Sequence, residues 1–123
     1  MEKQKILIVE DDYETLIFLR FLLKNNFEIL DCGSNDDFYE KIEKHAFDLI
    51  IMDIAIKGNK NGLQITKEIK TSDKYKHIPI LCLSAHVMPQ DKRNALEAGA
   101  NKFLPKPIAN HILLNTILEL LKK

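Results

Sequence analysis

At 123 residues the chain has room for one domain, residues 1–123, with a single core, which excludes a second folded unit. Eighteen basic and eighteen acidic side chains cancel to zero net charge, so no global basic field draws the chain to nucleic acid or to an anionic membrane. The apolar run in "MEKQKILIVEDD" is too short for a signal peptide or a membrane span, and the expected setting is soluble and cytoplasmic.

The segment "KILIV" (5–9) is short, β-branched and unbroken, the pattern of a strand covered on both faces. It runs into Glu10-Asp11-Asp12, with Asp12 at the point where a helix begins and a capping carboxylate belongs. "ETLIFLRFLLK" (14–24) predicts the first helix, apolar at nearly every position and so wider than the single stripe that packing on a sheet requires. With Leu19 and Leu23 facing inward, Ile17 and Phe21 share an outer surface suited to docking a partner's helices. "EILDC" (28–32) reads as the second strand. Ser34 with Asp37 then marks a helix start, and Phe38 and Ile42 fall on that helix's apolar face. "DLIIM" (48–52) predicts the third strand, and Leu63, Ile65 and Ile69 a third helix. "IPILCLS" (78–84) predicts the fourth strand, followed by a helix that Pro89 opens and Gly99 closes. "KFL" (102–104) is the fifth strand, and Ile112 to Leu121 the last helix. Cys32 and Cys82, both in predicted strands and without C-x-x-C or metal-ligand spacing, are expected as buried free thiols.

Five alternations of strand and helix imply an α/β fold with a parallel sheet and right-handed crossovers. In so short a chain the expected architecture is the flavodoxin-like doubly wound sandwich, strand order 2-1-3-4-5, which binds ligands outside the carboxyl ends of strands 1 and 3. That edge collects Glu10-Asp11-Asp12, Asp53, Ser84 and Lys106. Carboxylates so gathered repel, and the repulsion is relieved by a proton or by a hard divalent cation; Mg²⁺ prefers such oxygen ligands. A serine hydroxyl and a lysine across the cleft suit a phosphoryl group, which gives Asp53 the role of nucleophile.

These residues resemble the receiver domain of two-component response regulators, through "ILIVEDD" (6–12), "DLIIMDI" (48–54), "IPILCLSAH" (78–86) and "AGANKFLPKPI" (98–108). The resemblance implies that Glu10 and Asp11 are the acidic pair and that Asp53 accepts phosphate from a phosphohistidine. It also implies that Ser84 and Lys106 hold the phosphoryl group and that the backbone carbonyl of Ala55 completes a Mg²⁺ shell. A histidine kinase or histidine phosphotransfer protein is the implied donor, and a downstream protein the implied target. The peptide joining Lys106 to Pro107 is usually cis in such domains. Three positions depart from the family pattern: Lys57 replaces a frequent proline in a loop one residue longer than usual, Ser84 replaces threonine, and Phe103 stands at the switch aromatic, often tyrosine.

The resulting expectation is a signalling switch that catalyses only its own phosphorylation and dephosphorylation, single-domain in form, though the receiver portion of a hybrid kinase would read identically. Ala55 has no side chain to orient a hydrolytic water, and His86 reaches toward the same entrance, so slow self-dephosphorylation is expected. The rival readings are a Mg²⁺-dependent phosphohydrolase with an aspartyl-phosphate intermediate and a flavin-binding protein. Enzymes resembling the haloacid dehalogenase family need a second aspartate where Ala55 stands, and the acidic run would repel a flavin phosphate.

Overall fold

The computed structural model describes residues 3–56, 58–85 and 88–122. Five strands, β1 (Gln4–Val9), β2 (Phe27–Cys32), β3 (Leu49–Asp53), β4 (Ile80–Ser84) and β5 (Lys102–Pro105), alternate with α1 (Tyr13–Leu23), α2 (Asn35–Lys44), α3 (Gly62–Thr71), α4 (Pro89–Glu97) and α5 (Asn110–Leu121). All neighbouring strands are parallel, in the order β2-β1-β3-β4-β5, the flavodoxin-like arrangement expected from the sequence.

The unbroken apolar runs are explained by helices on both faces. Every residue of β3 and β4 is buried. Alternate residues serve opposite layers, as the two-residue period of a strand dictates. Ile6, Ile8, Leu49, Ile51, Leu81 and Leu83 meet Leu19 and Leu23 of α1 and Leu113 and Ile117 of α5. Leu7, Val9, Ile50, Met52, Ile80 and Cys82 meet Phe38 and Ile42 of α2, Ile65 and Ile69 of α3, and Ala95 of α4. Each such buried aliphatic side chain contributes roughly 1.5–3 kcal/mol, which fixes the backbone of the central strands.

Local signals set the helix ends. Asp12 caps α1 by accepting from Thr15 N at 3.1 Å, and Ser34 caps α2 by accepting from Asp37 N at 3.3 Å. Pro89 is the first residue of α4, and that helix closes with Gly99 N donating to Leu96 O and Ala100 N donating to Ala95 O, both at 3.0 Å. Each strand differs from the sequence expectation by one or two residues at an end, β3 at both ends. β3 ends on Asp53 rather than before it. β4 starts at Ile80, because Pro79 has no N–H for the ladder, although its carbonyl accepts from Ile50 N at 3.0 Å.

Candidate functional site

The carboxyl edge of β1 and β3 brings the acidic residues together. Carboxylate oxygens of Glu10, Asp11 and Asp53 lie within 4.8 Å of one another. Glu10 and Asp53 are buried and Asp11 is exposed, so the cluster has a dry floor and an open rim. Lys106 reaches back from beyond β5, its Nζ 2.5 Å from Glu10 Oε1 and 3.9 Å from Asp53 Oδ2. The Lys106–Pro107 peptide is cis, and Lys106 N donates to Ser84 O at 2.8 Å. The lysine thus bridges two of the carboxylates directly, a pairing that strand order alone did not specify.

Burial, modified by its neighbours, accounts for the state of Glu10. Burial, reinforced by its hydrogen bond with Asp53, pushes its carboxyl up to about 7; the hydrogen bonds from Lys106 and from the backbone N–H of Asp12 pull the other way. Asp12 behaves oppositely: hydrogen bonds from the Thr15 hydroxyl and backbone N–H hold it below the usual carboxylate range, which is the chemistry of a cap. The donor set fits a hard divalent cation, since all three side chains offer oxygen and a dication relieves the repulsion among carboxylates this close together.

Asp53 is held by its own loop. Its Oδ1 accepts from Ala55 N at 3.1 Å. The chain then returns, with Gly62 N donating to Ile54 O at 2.9 Å. A Cβ on Gly62 would stand 2.3 Å from the Asp53 carbonyl oxygen, so only glycine allows α3 to start this close to the site.

Ser84 and Phe103 occupy the other layer. Ser84 is fully buried, one residue past Leu83, the partner of Asp53 in the ladder. It falls on the parity of Ile80 and Cys82, facing α2 to α4, whereas Asp53 falls on that of Leu49 and Ile51, facing α1 and α5. Phe103 pairs with Cys82 in the ladder and packs half-buried against the same layer as Ser84. Lys57 and His86 lie outside the described residues.

Beside Asp53 opens a groove of about 570 Å³, lined by Phe18, Leu19, Ala55, Leu83, Pro107 and Ile108 among others. On the outer side of α1, Ile17 is 48% and Phe21 74% exposed, while Leu19 and Leu23 are buried, the division expected from the sequence. Tyr13, 73% exposed, extends the stripe by one turn, a contribution the sequence reading missed because it began the helix at Glu14.

Residues 6–118 match the family model for the response regulator receiver domain. The chain is 29% identical over 119 residues to the sensor protein GacS of Pseudomonas syringae pv. syringae, covering 94% of this chain but 13% of GacS. It is 28% identical over 115 residues to the polar-differentiation response regulator DivK of Brucella anthropi, covering 93% of each. Among solved structures, the receiver domain of sensor histidine kinase PA1611 from Pseudomonas aeruginosa PAO1, described with a magnesium ion coordinated in its active site cleft, superposes with a TM-score of 0.86 at 25% identity, covering 97% of this chain and 98% of that one. The phosphohydrolase alternative is not favoured by these matches. Among the described residues, no helix is long and apolar enough to cross a membrane.

Proposed function

We propose a function from the premise that the chain belongs to the response regulator receiver domain family: it accepts a phosphoryl group on Asp53 from a partner's phosphohistidine and works as a switch in the cytoplasm. The observation that carries this reading is the convergence of Glu10, Asp11 and Asp53 within 4.8 Å, with Lys106 Nζ 3.9 Å from Asp53.

In the transfer step an Asp53 carboxylate oxygen attacks phosphorus in line, the P–N bond to the donor imidazole breaks, and its electron pair stays with the imidazole. Little covalent work falls to the protein, so positioning and charge neutralisation do most of it. Glu10 and Asp11, with Asp53 and the Ala55 carbonyl, would hold Mg²⁺, which when bound neutralises phosphoryl oxygens. Lys106, already between Glu10 and Asp53, supplies a point charge to another phosphoryl oxygen.

Ser84 is set to report the event. From the α2–α4 layer its hydroxyl must move toward the phosphoryl group, and that movement vacates space beside Phe103. The two arrangements form a bistable pair that phosphorylation biases. The stripe Tyr13, Ile17 and Phe21, next to the groove that opens on Asp53, is the docking surface for the donor's helices.

Incubation with acetyl phosphate and Mg²⁺, read by intact mass, tests the assignment. The expected outcome is a single phosphoryl adduct that disappears in Asp53→Asn and in excess chelator; an adduct retained by Asp53→Asn overturns it.

A further inference from the structure

Between Asp53 and α3 the chain makes an excursion whose tip is held from a different helix. Its base is closed by the Gly62–Ile54 hydrogen bond, and Ile56 is buried in the core. The tip is gripped by Asn35, the first residue of α2. Asn35 Nδ2 donates to Lys60 O at 2.8 Å, and Lys60 N donates to Asn35 Oδ1 at 2.6 Å.

Further features show that this contact is built. Asn35 is buried, and a buried amide is costly unless both its donor and its acceptor are used, as they are. Ser34, not Asn35, caps α2. Gly58 lies against it with φ +131°, and a Cβ there would fall 2.6 Å from Asn35 Cγ. The Lys60 side chain adds a second hold, pairing with Glu68 of α3 and lying over the Tyr39 ring of α2, 5.5 Å from its centroid.

We propose that Asn35 is a positioning residue for the metal site, clamping the loop tip at Lys60 so that the backbone at Ala55 is held in place to complete the Mg²⁺ shell. The inference rests on the proposed metal-dependent function. The clamp makes α2 part of the site's outer support. By linkage, a clamp that favours Mg²⁺ binding is itself favoured by bound Mg²⁺.

Titration of the full chain with Mg²⁺ alone, followed by calorimetry, tests it with three proteins: wild type, Asn35→Ala and Ser34→Ala. A partner hydrogen-bonded to a metal ligand is worth about tenfold or more in affinity; Asn35 holds the loop one step further out, so Asn35→Ala is expected to raise the Mg²⁺ Kd by roughly threefold to tenfold. Ser34→Ala weakens the same end of α2 without touching the loop, and its Kd is expected to stay within about twofold of wild type. An unchanged Kd in Asn35→Ala, or equal weakening in both variants, overturns the clamp. If Asn35→Ala does not fold, hydrogen exchange of the Lys60 amide in wild type decides: it is expected to slow several-fold in Mg²⁺, and an unaltered rate overturns the proposal. Wild type that binds no Mg²⁺ removes the metal reading itself, a failure distinct from a wild type that binds Mg²⁺ and a variant that binds it equally well.

Discussion

Replacing Lys106 by methionine removes the charge while keeping most of the side-chain volume. With Nζ 2.5 Å from Glu10 and 3.9 Å from Asp53, its gross Coulomb attraction at an effective dielectric of 20 is about 7 and about 4 kcal/mol respectively. Desolvation of the ammonium and of buried Glu10 cancels most of that sum, and a charged hydrogen bond of this kind nets roughly 1.5–3 kcal/mol. In metal-free buffer at pH 8, where Glu10 is largely ionised, Lys106→Met is expected to lose about 2 kcal/mol of unfolding free energy. With a urea m-value of about 2 kcal/mol/M, the midpoint falls by about 1 M. Saturating Mg²⁺ brings positive charge to the same oxygens, so most of the deficit should vanish on its addition. Urea unfolding followed by circular dichroism, in chelator and in Mg²⁺, gives both numbers. Equal midpoints in chelator, or a deficit that Mg²⁺ leaves untouched, would refute the account of Lys106 as the cation that holds the acidic cluster together.

Other perturbations probe separate parts of the argument. Ile17→Glu with Phe21→Glu should reduce phosphoryl transfer from a donor kinase at least tenfold yet leave acetyl phosphate labelling within twofold of wild type; parallel loss of both would place the defect in the site rather than in docking. Gly62→Ala, whose methyl would stand 2.3 Å from the Asp53 carbonyl oxygen, should destabilise by more than about 2 kcal/mol and slow acetyl phosphate labelling, as thermal melts and intact mass can show. Burial pushes the Cys32 and Cys82 thiols up to about 12, so neither should be alkylated by iodoacetamide at pH 8 until urea is added; rapid labelling of the folded chain would contradict their burial.

Much of the molecule was legible because its signals are local or periodic. Strands buried on both faces must be apolar without interruption, and β3 and β4 announce themselves that way. Asp12, Ser34, Pro89 and Gly99 sit at helix ends for reasons of backbone hydrogen bonding that neighbouring residues reveal. Given the strand order, the convergence of Glu10, Asp11 and Asp53 follows from topology, since each lies at the carboxyl end of a neighbouring strand. Contacts across elements were not legible. Nothing near Lys106 specifies that its ammonium meets Glu10 more closely than Asp53.

The loop after Asp53 shows the same division inside one segment. Asn61 and Gln64 form a reciprocal cap three residues apart, at 2.9 and 2.8 Å, and a local rule describes it. The grip on Lys60 spans twenty-five residues of sequence, and Asn35, read along the chain, is only an indifferent helix former beside a good cap. Its role follows from what the loop demands. An excursion of this length loses conformational entropy when it is fixed, and among the described residues its own side chains contribute the Ile56 anchor, the Lys60 pairing with Glu68 and the cap at Asn61. A second element must supply the remaining hold, and it must do so through groups that satisfy backbone N–H and C=O together. An amide side chain meets that requirement in a single residue. Loop and helix are therefore held together, and on the proposed reading a change in either should register in Mg²⁺ affinity before it registers in the stability of the fold.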